Sequence, residues 1–273
     1  MTQVAASWSP FRLGMTALAL LFTRMVWGAY QFQVRELTTD LPGLTRPVRV
    51  VHLTDLHYGA LVPSWQVWRW VRTASEADPD VVVITGDLVD EHQPGRDVAG
   101  LLRPLQALRP PLGVWAVWGN HDHLRFPGHL TSFETQLQAA GVQVLCNRGV
   151  LLRDDLYLAG VDSLLRGNPD VEGALQARPR AGACLLLSHH PNVLPSVPPD
   201  RVGLALCGHT HGGQVAVPGL AWLYRHTPCG SRFLKGWVTA PVQAYVSTGA
   251  GVSGVPFRWG AHAEVVVLDL RPG

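Results

Sequence analysis

Five short segments of the chain carry side chains of the kinds that bind divalent metal ions. One of them, residues 207–214, places His209 and His211 one residue apart on a turn flanked by glycines, which permit a tight backbone. Two histidines held in this way can contact two neighbouring metal ions. The other four segments are residues 55–57, 86–90, 119–122 and 188–191. A single His-x-His pair is a weak sign, but the five segments together predict a metal site.

The candidate ligands differ in type but share a preference for divalent ions. They are Asp55, His57, Asp87, Asn120, His189, His209 and His211. Carboxylate oxygens, an amide oxygen and imidazole nitrogens suit Mn²⁺, Fe²⁺ or Zn²⁺, and the set contains no thiolate, which argues against a structural zinc site. Seven ligands are too many for one tetrahedral ion. We therefore expect two ions sharing a bridging carboxylate, an arrangement that stabilises both the attacking and the leaving oxygen in phosphoryl transfer.

Apolar, β-branched runs stand directly before several of these residues. The run at residues 81–85, for example, reads as a buried strand that ends just before Asp87. Strands are predicted at residues 48–54, 81–85, 114–118, 142–146, 156–161, 184–187, 202–206, 244–247 and 264–270, and helices at residues 63–77 and 98–108. Alternating strands and helices predict an α/β fold, in which functional residues commonly follow the carboxyl ends of strands.

Composition favours one large globular domain. The chain has 273 residues, of which 47% are hydrophobic and 15% charged, so a sizeable core is available. The formal net charge is +2, and no run of lysine or arginine stands out. Nucleic acid is therefore not expected as a partner.

Residues 1–40 are expected to form an N-terminal hydrophobic helix and candidate membrane anchor, ahead of a main domain at residues 48–270. Residues 13–22 are apolar, but Arg24 interrupts the longer apolar stretch, and a spanning helix needs about 20 apolar residues. Three interpretations stay open: an uncleaved anchor, a helix lying in the membrane interface, or a helix packed on the domain. We expect a membrane-associated protein, with a cytoplasmic one as the alternative.

The ordered motifs D-x-H, G-D-x-x-D, G-N-H-D, H-x-P and G-H-T-H resemble those of the calcineurin-like metallophosphoesterase family, from about residue 48 to residue 270. The stretches at residues 208–215, 245–249 and 253–258 resemble its YkuE-like branch, whose members often carry an N-terminal membrane segment. The resemblance implies a four-layer α/β/β/α sandwich of two mixed sheets flanked by helices. Relatives include enzymes that cleave the pyrophosphate of UDP-2,3-diacylglucosamine in lipid A synthesis.

The same resemblance implies a division of the ligands between two divalent metal ions. The first ion would be held by Asp55, His57 and His211. The second would be held by Asn120, His189 and His209. Asp87 would bridge the two ions. His189 rather than His190 matches the H-x-P motif, because Pro191 lies two residues after it.

The implied mechanism uses a hydroxide shared by the two ions, which attacks the phosphorus in line. His121 resembles the family's general acid, which gives a proton to the leaving oxygen. Asp90 would hydrogen-bond His121 and fix its tautomer, with a helix cap as the alternative role for Asp90. Glu91 stands where phosphoprotein phosphatases have an arginine, so protein phosphatase activity is not expected. Arg258 is a candidate for binding the substrate phosphate, with a plain surface arginine as the alternative.

Several functions remain compatible with these motifs. The first is an active phosphohydrolase that cuts a phosphate ester or a pyrophosphate, for instance of a lipid-linked substrate. Its alternative substrates are soluble nucleotides or general phosphodiesters. A non-catalytic interaction scaffold of the same fold and a nuclease are the others. The segment at residues 218–237 contains aromatic and apolar side chains that, if exposed, favour an amphiphilic substrate. A packed loop over the sheet is the alternative for this segment.

Overall fold

The computed structural model describes residues 10–92, 97–216 and 230–273. The first of two six-stranded sheets has the strand order β1-β12-β2-β3-β4-β5. Strand β12 is antiparallel to β2, and all the other neighbours in this sheet are parallel. Its strands are β1 (Phe32–Leu41), β2 (Val48–Leu53), β3 (Val81–Thr85), β4 (Val114–Val117), β5 (Val142–Val144) and β12 (Ala263–Pro272).

The second sheet has the order β10-β11-β9-β8-β7-β6, with four parallel central strands and an antiparallel strand at each edge. Its strands are β6 (Arg148–Arg153), β7 (Leu156–Gly160), β8 (Ala183–Ser188), β9 (Leu204–Cys207), β10 (Gly236–Thr239) and β11 (Gln243–Val246). The central parallel strands, such as β3 and β8, are buried on both faces, which explains why they read as continuous apolar runs.

Alternate residues of each strand belong to different cores. Val50 and Val83 of the first sheet pack against Leu185 and Leu206 of the second, between the sheets. The outer face of the first sheet is covered by α2 (Ser64–Glu76), α3 (Ala99–Leu105) and α5 (Leu130–Ala139). The outer face of the second is covered by α6 (Val171–Leu175) and a 3-10 turn at Pro191–Ser196. The predicted four-layer α/β/β/α sandwich is confirmed.

Helix α1 (Pro10–Ala29) packs on the domain through its carboxyl-terminal half. The rings of Phe22 and Phe257 lie 5.2 Å apart, and the backbone N–H of Arg258 donates to the carbonyl oxygen of Met25 at 3.1 Å. Other apolar side chains of the helix are exposed, among them Leu20 at 66%. Among the helices within the described ranges, none is long and apolar enough to cross a membrane.

The predicted boundary of the N-terminal segment at residue 40 is wrong. Residues 32–41 form β1, which pairs in parallel with the whole of β12, from Phe32 opposite Ala263 to Leu41 opposite Pro272. This strand forms the edge of the first sheet, so helix α1 is the element of residues 10–41 that stands outside the two sheets. The alternation of buried and exposed side chains along β1 is weak, as is usual for an edge strand, and its partner is at the opposite end of the chain.

Candidate metal centre

The five metal-ligand segments all follow the carboxyl ends of parallel strands. Asp55 follows β2, Asp87 follows β3, and a short helix, α4 (Asn120–Arg125), begins just after β4. His189 directly follows β8, and His209 follows β9 in the other sheet. Because parallel strands end at the same edge of a sheet, each sheet gathers its own ligands. Contacts between the two groups, described below, join them into one site.

Backbone strain is concentrated at the candidate ligands. Five of the seven have a left-handed backbone: Asp55 (φ 53°), His57 (φ 46°), Asp87 (φ 50°), His209 (φ 71°) and His211 (φ 50°). This conformation costs roughly 1–2 kcal/mol for each non-glycine residue. A fold retains such strain where the directions of the side chains matter, which points to a functional site.

Two motif glycines allow the loops to approach one another closely. A Cβ atom on Gly119 would overlap the carboxylate and backbone nitrogen of Asp87. One on Gly208 would overlap the hydroxyl of Thr54 and the carboxylate of Asp55. Close packing against the carboxylates therefore requires both Gly119 of G-N-H-D and Gly208 of G-H-T-H. For Gly208 this reason differs from the turn flexibility expected from the sequence.

Three of the candidate ligands converge at one side of the site. Nε2 of His57 lies 3.0 Å from Nε2 of His211, and Nε2 of His211 lies 3.3 Å from Oδ1 of Asp55. Ligand atoms that bind one ion at about 2.0–2.2 Å lie about 3 Å from each other, so these distances suit a shared metal ion.

Asp87 lies between that group and the ligands from the second sheet. Its Oδ2 is 3.5 Å from Nε2 of His57 and 3.1 Å from Nε2 of His189. Nδ1 of His189 lies 2.8 Å from the carbonyl oxygen of Thr85, which can only accept. Nδ1 therefore carries a proton, and Nε2 is the atom left for a metal ion. The ring of His209 lies 5.0 Å from that of His189.

The donor set fits divalent metal ions. Among the residues that the structure describes, Oδ1 of Asn120 and Nε2 of His189 are buried polar atoms without a hydrogen-bond partner, and both belong to predicted ligands. Buried polar atoms normally have partners, so such atoms call for an explanation, and a bound ion supplies one. The carboxylate, amide and imidazole atoms are ligands that Mn²⁺, Fe²⁺ and Zn²⁺ accept.

Burial keeps most of the imidazoles neutral, as metal ligands must be. Burial lowers the pKa of His57 and that of His209 to about 3, and it lowers the pKa of His211 well below its usual value. Charging these rings would require taking a cation out of water. Each ring therefore keeps a nitrogen lone pair near neutral pH.

The two central carboxylates respond differently to burial. Burial raises the pKa of Asp55 to about 6. Burial also opposes the ionisation of Asp87, but His189 and His57 hold the pKa of that carboxyl well below its usual range. The same attraction overcomes the effect of burial on His189 and raises the pKa of that imidazole to about 9. Without a metal ion, a proton on His189 thus compensates the charge of Asp87.

Asp122 is a supporting residue that the sequence reasoning missed. Its fully buried carboxylate accepts hydrogen bonds from the backbone nitrogens of Leu88 (2.9 Å), Val89 (3.2 Å) and Gly119 (2.8 Å). It therefore ties the loop after β3 to the start of α4, and burial raises its pKa to about 7. A signal was present in the sequence, because an acidic residue three positions after a helix N-cap is typical of a capping box.

The predicted hydrogen bond between Asp90 and His121 is wrong. Oδ1 of Asp90 accepts from the backbone N–H of His92 at 2.7 Å, which turns the carboxylate toward its own loop. The carboxylate that contacts His121 is Glu91, whose Oε2 lies 2.5 Å from Nδ1 of the ring. Asp90 still lies near His57 and His121, within a cluster of atoms less than 4.8 Å apart.

Arg258, predicted to bind the substrate phosphate or to be a plain surface arginine, is a buried side chain and is not among the residues that line the cavity described below. It is 3% exposed, and its guanidinium lies 3.3 Å from Nδ1 of His211. Its N–H groups donate to backbone carbonyl oxygens of Thr248, Gly249, Gly251 and Ala261. The side chain therefore joins the loop that carries His211 to the loop after β11. No local pattern in the sequence distinguishes such a buried arginine from a surface one.

His190, left outside the predicted ligand set, is fully buried beside it. Its ring lies 4.0 Å from that of His209, and its Nδ1 is 3.3 Å from the backbone nitrogen of Leu164. Burial holds the pKa of His190 well below its usual range. It packs against the second group of ligands and is not solvated.

A cavity of about 530 Å³ opens beside the metal-ligand cluster. Asp87, His121, His209 and His211 line its polar side. Its lining also includes the apolar side chains of Leu165, Val215, Leu234 and Val255. Of the aromatic loop predicted to lie nearby, residues 217–229 are outside the described ranges, and Phe233 is buried.

Comparisons with known proteins agree with this geometry. Residues 48–213 match the family model described as Calcineurin-like phosphoesterase. The chain is 32% identical over 232 residues to the uncharacterized metallophosphoesterase YkuE of Bacillus subtilis, covering 82% of this chain and 79% of that protein. It is also 32% identical to an uncharacterized metallophosphoesterase of Helicobacter pylori over 255 residues, covering 88% of this chain and 64% of that protein.

A vertebrate relative and a solved structure extend the comparison. The chain is 32% identical over 257 residues to a transmembrane protein with metallophosphoesterase domain from Danio rerio, of which it spans 56%. The crystal structure of TT1561 of Thermus thermophilus aligns with 75% of the chain and 89% of that protein, at 14% identity and a TM-score of 0.46. From the family model and the identity to these relatives, the chain belongs to the calcineurin-like phosphoesterases and is a hydrolase of phosphoester bonds.

Proposed function

We propose that this phosphoesterase works with two divalent metal ions and cuts a phosphate ester or a pyrophosphate. The observation that carries the proposal is the position of Asp87, whose Oδ2 lies 3.5 Å from His57 on one side and 3.1 Å from His189 on the other. A carboxylate between two groups of ligands is suited to bridge two ions. When bound, the ions would activate a water molecule and neutralise charge on the phosphate oxygens.

The ligands divide into two sets around Asp87. One ion would be held by Asp55, His57 and His211, and the other by Asn120, His189 and His209. Thr54 orients Asp55 by donating its hydroxyl to Oδ2 at 2.8 Å, and Thr85 orients His189. Such supporting hydrogen bonds hold ligands in the direction that an ion needs.

His121 is the proposed proton donor to the leaving oxygen. Its backbone N–H donates to Oδ1 of Asp87 at 2.9 Å, which anchors the residue beside the ligands. Nε2 of its ring lies 3.9 Å from Oδ2 of Asp87, and the side chain lines the cavity. A donor held in this position contributes about 10²–10⁴ in rate.

The apolar side of the cavity supports an amphiphilic substrate. Four apolar side chains line the same cavity as the polar ones, so a substrate with a phosphate and a hydrocarbon portion has a surface for each. A lipid-linked pyrophosphate such as UDP-2,3-diacylglucosamine stays a prediction of this kind, and a soluble nucleotide is its alternative. Cleavage of such a pyrophosphate yields two phosphomonoesters, so chromatography of the products from a panel of both classes distinguishes them. Activity confined to soluble nucleotides would contradict the lipid-linked choice.

Membrane association through α1 is also proposed. Leu20 and Trp27, seven positions apart and therefore on one side of the helix, are exposed at 66% and 64%, while Phe22 on the opposite side contacts Phe257 of the domain. An apolar face of this kind suits a helix lying in the membrane interface. Sedimentation with lipid vesicles should recover the wild-type chain and much less of a Leu20→Glu variant. Equal recovery of both would contradict the proposal.

Hydrolysis of bis-p-nitrophenyl phosphate with added Mn²⁺ tests the central proposal. Asp87→Asn should lose bound metal and at least about 100-fold in kcat/KM, because the bridging charge is removed. His121→Ala should retain metal and lose about 10²–10⁴ in kcat. His129→Ala, an exposed histidine at the start of α5, is the matched control and should resemble the wild type. The mechanism is wrong if Asp87→Asn and His121→Ala both hydrolyse bis-p-nitrophenyl phosphate as fast as this control. It is also wrong if the wild type hydrolyses no ester, as expected of a non-catalytic scaffold.

A further inference from the structure

Glu91 places a carboxylate directly against the proposed proton donor. Its Oε2 lies 2.5 Å from Nδ1 of His121, an ion pair by distance. Both atoms are buried, and within the described part of the chain neither has a hydrogen bond of regular geometry, so the contact between them is defined by distance and charge. The remaining oxygen, Oε1, lies 3.7 Å from Nε2 of His92. Each member of the Glu91–His121 pair is therefore the other's main polar contact.

This contact sets the orientation of the imidazole. A carboxylate can only accept, so Nδ1 is the ring nitrogen that carries a proton toward Glu91. Nε2 is then on the side of Asp87 and the cavity. The edge-to-face contact with His57, at 4.6 Å between ring centroids, restricts the ring further. Glu91 thus acts on any reaction through His121, as a positioning residue.

The charge of Glu91 has a second consequence, for the substrate. A phosphate monoester carries about 1.5–2 negative charges near neutral pH, whereas a diester carries one. A phosphate oxygen that accepts from Nε2 of His121 lies across the imidazole ring from Glu91, on the order of 7 Å from its carboxylate. At that separation and an effective dielectric constant of about 20, one extra repelled charge weakens binding about 50-fold. The Glu91 side chain is 25% exposed, and screening by solvent reduces this effect to about tenfold.

The apolar wall of the cavity acts in the same direction. A diester has a second organic substituent where a monoester has a charged oxygen. Leu165, Val215, Leu234 and Val255 offer that substituent an apolar surface beside His121. Burial of apolar area on these side chains favours the diester, and the carboxylate disfavours the additional charge.

We propose that Glu91 is a specificity-determining residue, which positions His121 and selects singly charged phosphodiesters with an apolar arm over doubly charged monoesters. The inference rests on the proposed function for the reaction that it selects, but the charge selection itself can be measured by binding.

The binding test compares two ligands that differ by one charge. Phenylphosphonate and methyl(phenyl)phosphinate have the same aromatic arm, but a methyl group of the second replaces a charged oxygen of the first. Titration of the Mn²⁺-loaded protein by calorimetry gives Kd for each. Glu91→Gln keeps the size and an accepting oxygen while it removes the charge, so it should improve phosphonate binding relative to phosphinate by about tenfold. Glu76→Gln, an exposed substitution on α2, is the matched control and should leave the ratio unchanged.

Hydrolysis gives the second readout. The ratio of kcat/KM for p-nitrophenyl phosphate to that for bis-p-nitrophenyl phosphate should rise about tenfold in Glu91→Gln, at equal metal content, mainly through KM of the monoester. Glu91→Ala, which lacks an acceptor for Nδ1 of His121, should lower kcat for both esters more than Glu91→Gln does. The proposal is wrong if Glu91→Gln changes Kd for the phosphonate and the phosphinate by the same factor and also changes kcat/KM for the two esters by the same factor. If the binding ratio shifts while the wild type hydrolyses neither ester, the selection by charge stands and the proposed hydrolysis fails.

Discussion

Replacement of Gly119 by alanine tests whether the close contact between the loop before α4 and the loop after β3 holds the carboxylate of Asp87 in place. Gly119 precedes α4, and its missing side chain makes room for Asp87. An added Cβ would lie 2.7 Å from Cγ of Asp87, whereas an ordinary contact begins at 3.4 Å. The carboxylate or the start of α4 must therefore move by at least about 0.7 Å, a displacement of the size that overpacking produces.

The expected loss follows from the tolerance of a metal site. Metal–ligand distances are held to within about 0.2 Å, so a shift of this size removes Asp87 from a bridging position. Misplacement by about 1 Å costs roughly 100-fold in rate, so kcat/KM for bis-p-nitrophenyl phosphate should fall by about that factor or more. The free energy of unfolding should fall by only about 1–3 kcal/mol, the usual cost of overpacking.

The assay combines turnover, metal content and chemical denaturation of the same samples. Gly14→Ala is the matched control, because Gly14 lies in α1 and an added Cβ would meet nothing within 4 Å. This control should retain activity and metal. A folded Gly119→Ala protein with metal content and kcat/KM close to those of the control would refute the reasoning.

Two further predictions concern protons. Asp155 accepts hydrogen bonds from the backbone nitrogen (2.7 Å) and hydroxyl (2.6 Å) of Thr45 and pairs with Arg153. Burial opposes the ionisation of Asp155, but these partners hold its pKa below the usual range. The ionised carboxylate therefore stabilises the fold above about pH 4, and this stabilisation is lost as pH falls. Denaturant titrations should therefore show that Asp155→Asn lowers the free energy of unfolding by about 1.5–3 kcal/mol at pH 7 and by much less near pH 3. An equal loss at the two pH values would contradict this prediction. At the metal site, Asp87 holds the pKa of His189 at about 9 although burial opposes it, so an ion must displace that proton. Mn²⁺ affinity should rise by up to about tenfold per pH unit between about pH 6.5 and 8.5, with release of about one proton in calorimetry; an affinity independent of pH would exclude this role for His189.

The layered fold could be predicted from the sequence because its central strands are buried on both faces. The run at residues 81–85 is apolar throughout, and it forms β3 with those bounds. The edge strand β6 was not predicted, because its partly exposed residues carry no continuous apolar signal. Strand β1 was grouped with the N-terminal helix, since nothing local to residues 32–41 shows that the partner is β12.

The sequence by itself determined the chemistry of the site. The types of the seven candidate ligands, and their positions just after apolar runs, are properties of short segments. The structure places six of them in linked groups whose ligand atoms lie within 4.8 Å of one another, and it buries the amide oxygen of the seventh, Asn120. Only the tertiary structure decided which neighbours they have. It places Glu91 rather than Asp90 against His121, and it buries Arg258 among backbone carbonyl groups. The physical reason is that the type of a donor atom is fixed by one residue, whereas its direction and partners depend on loops that come from distant parts of the chain.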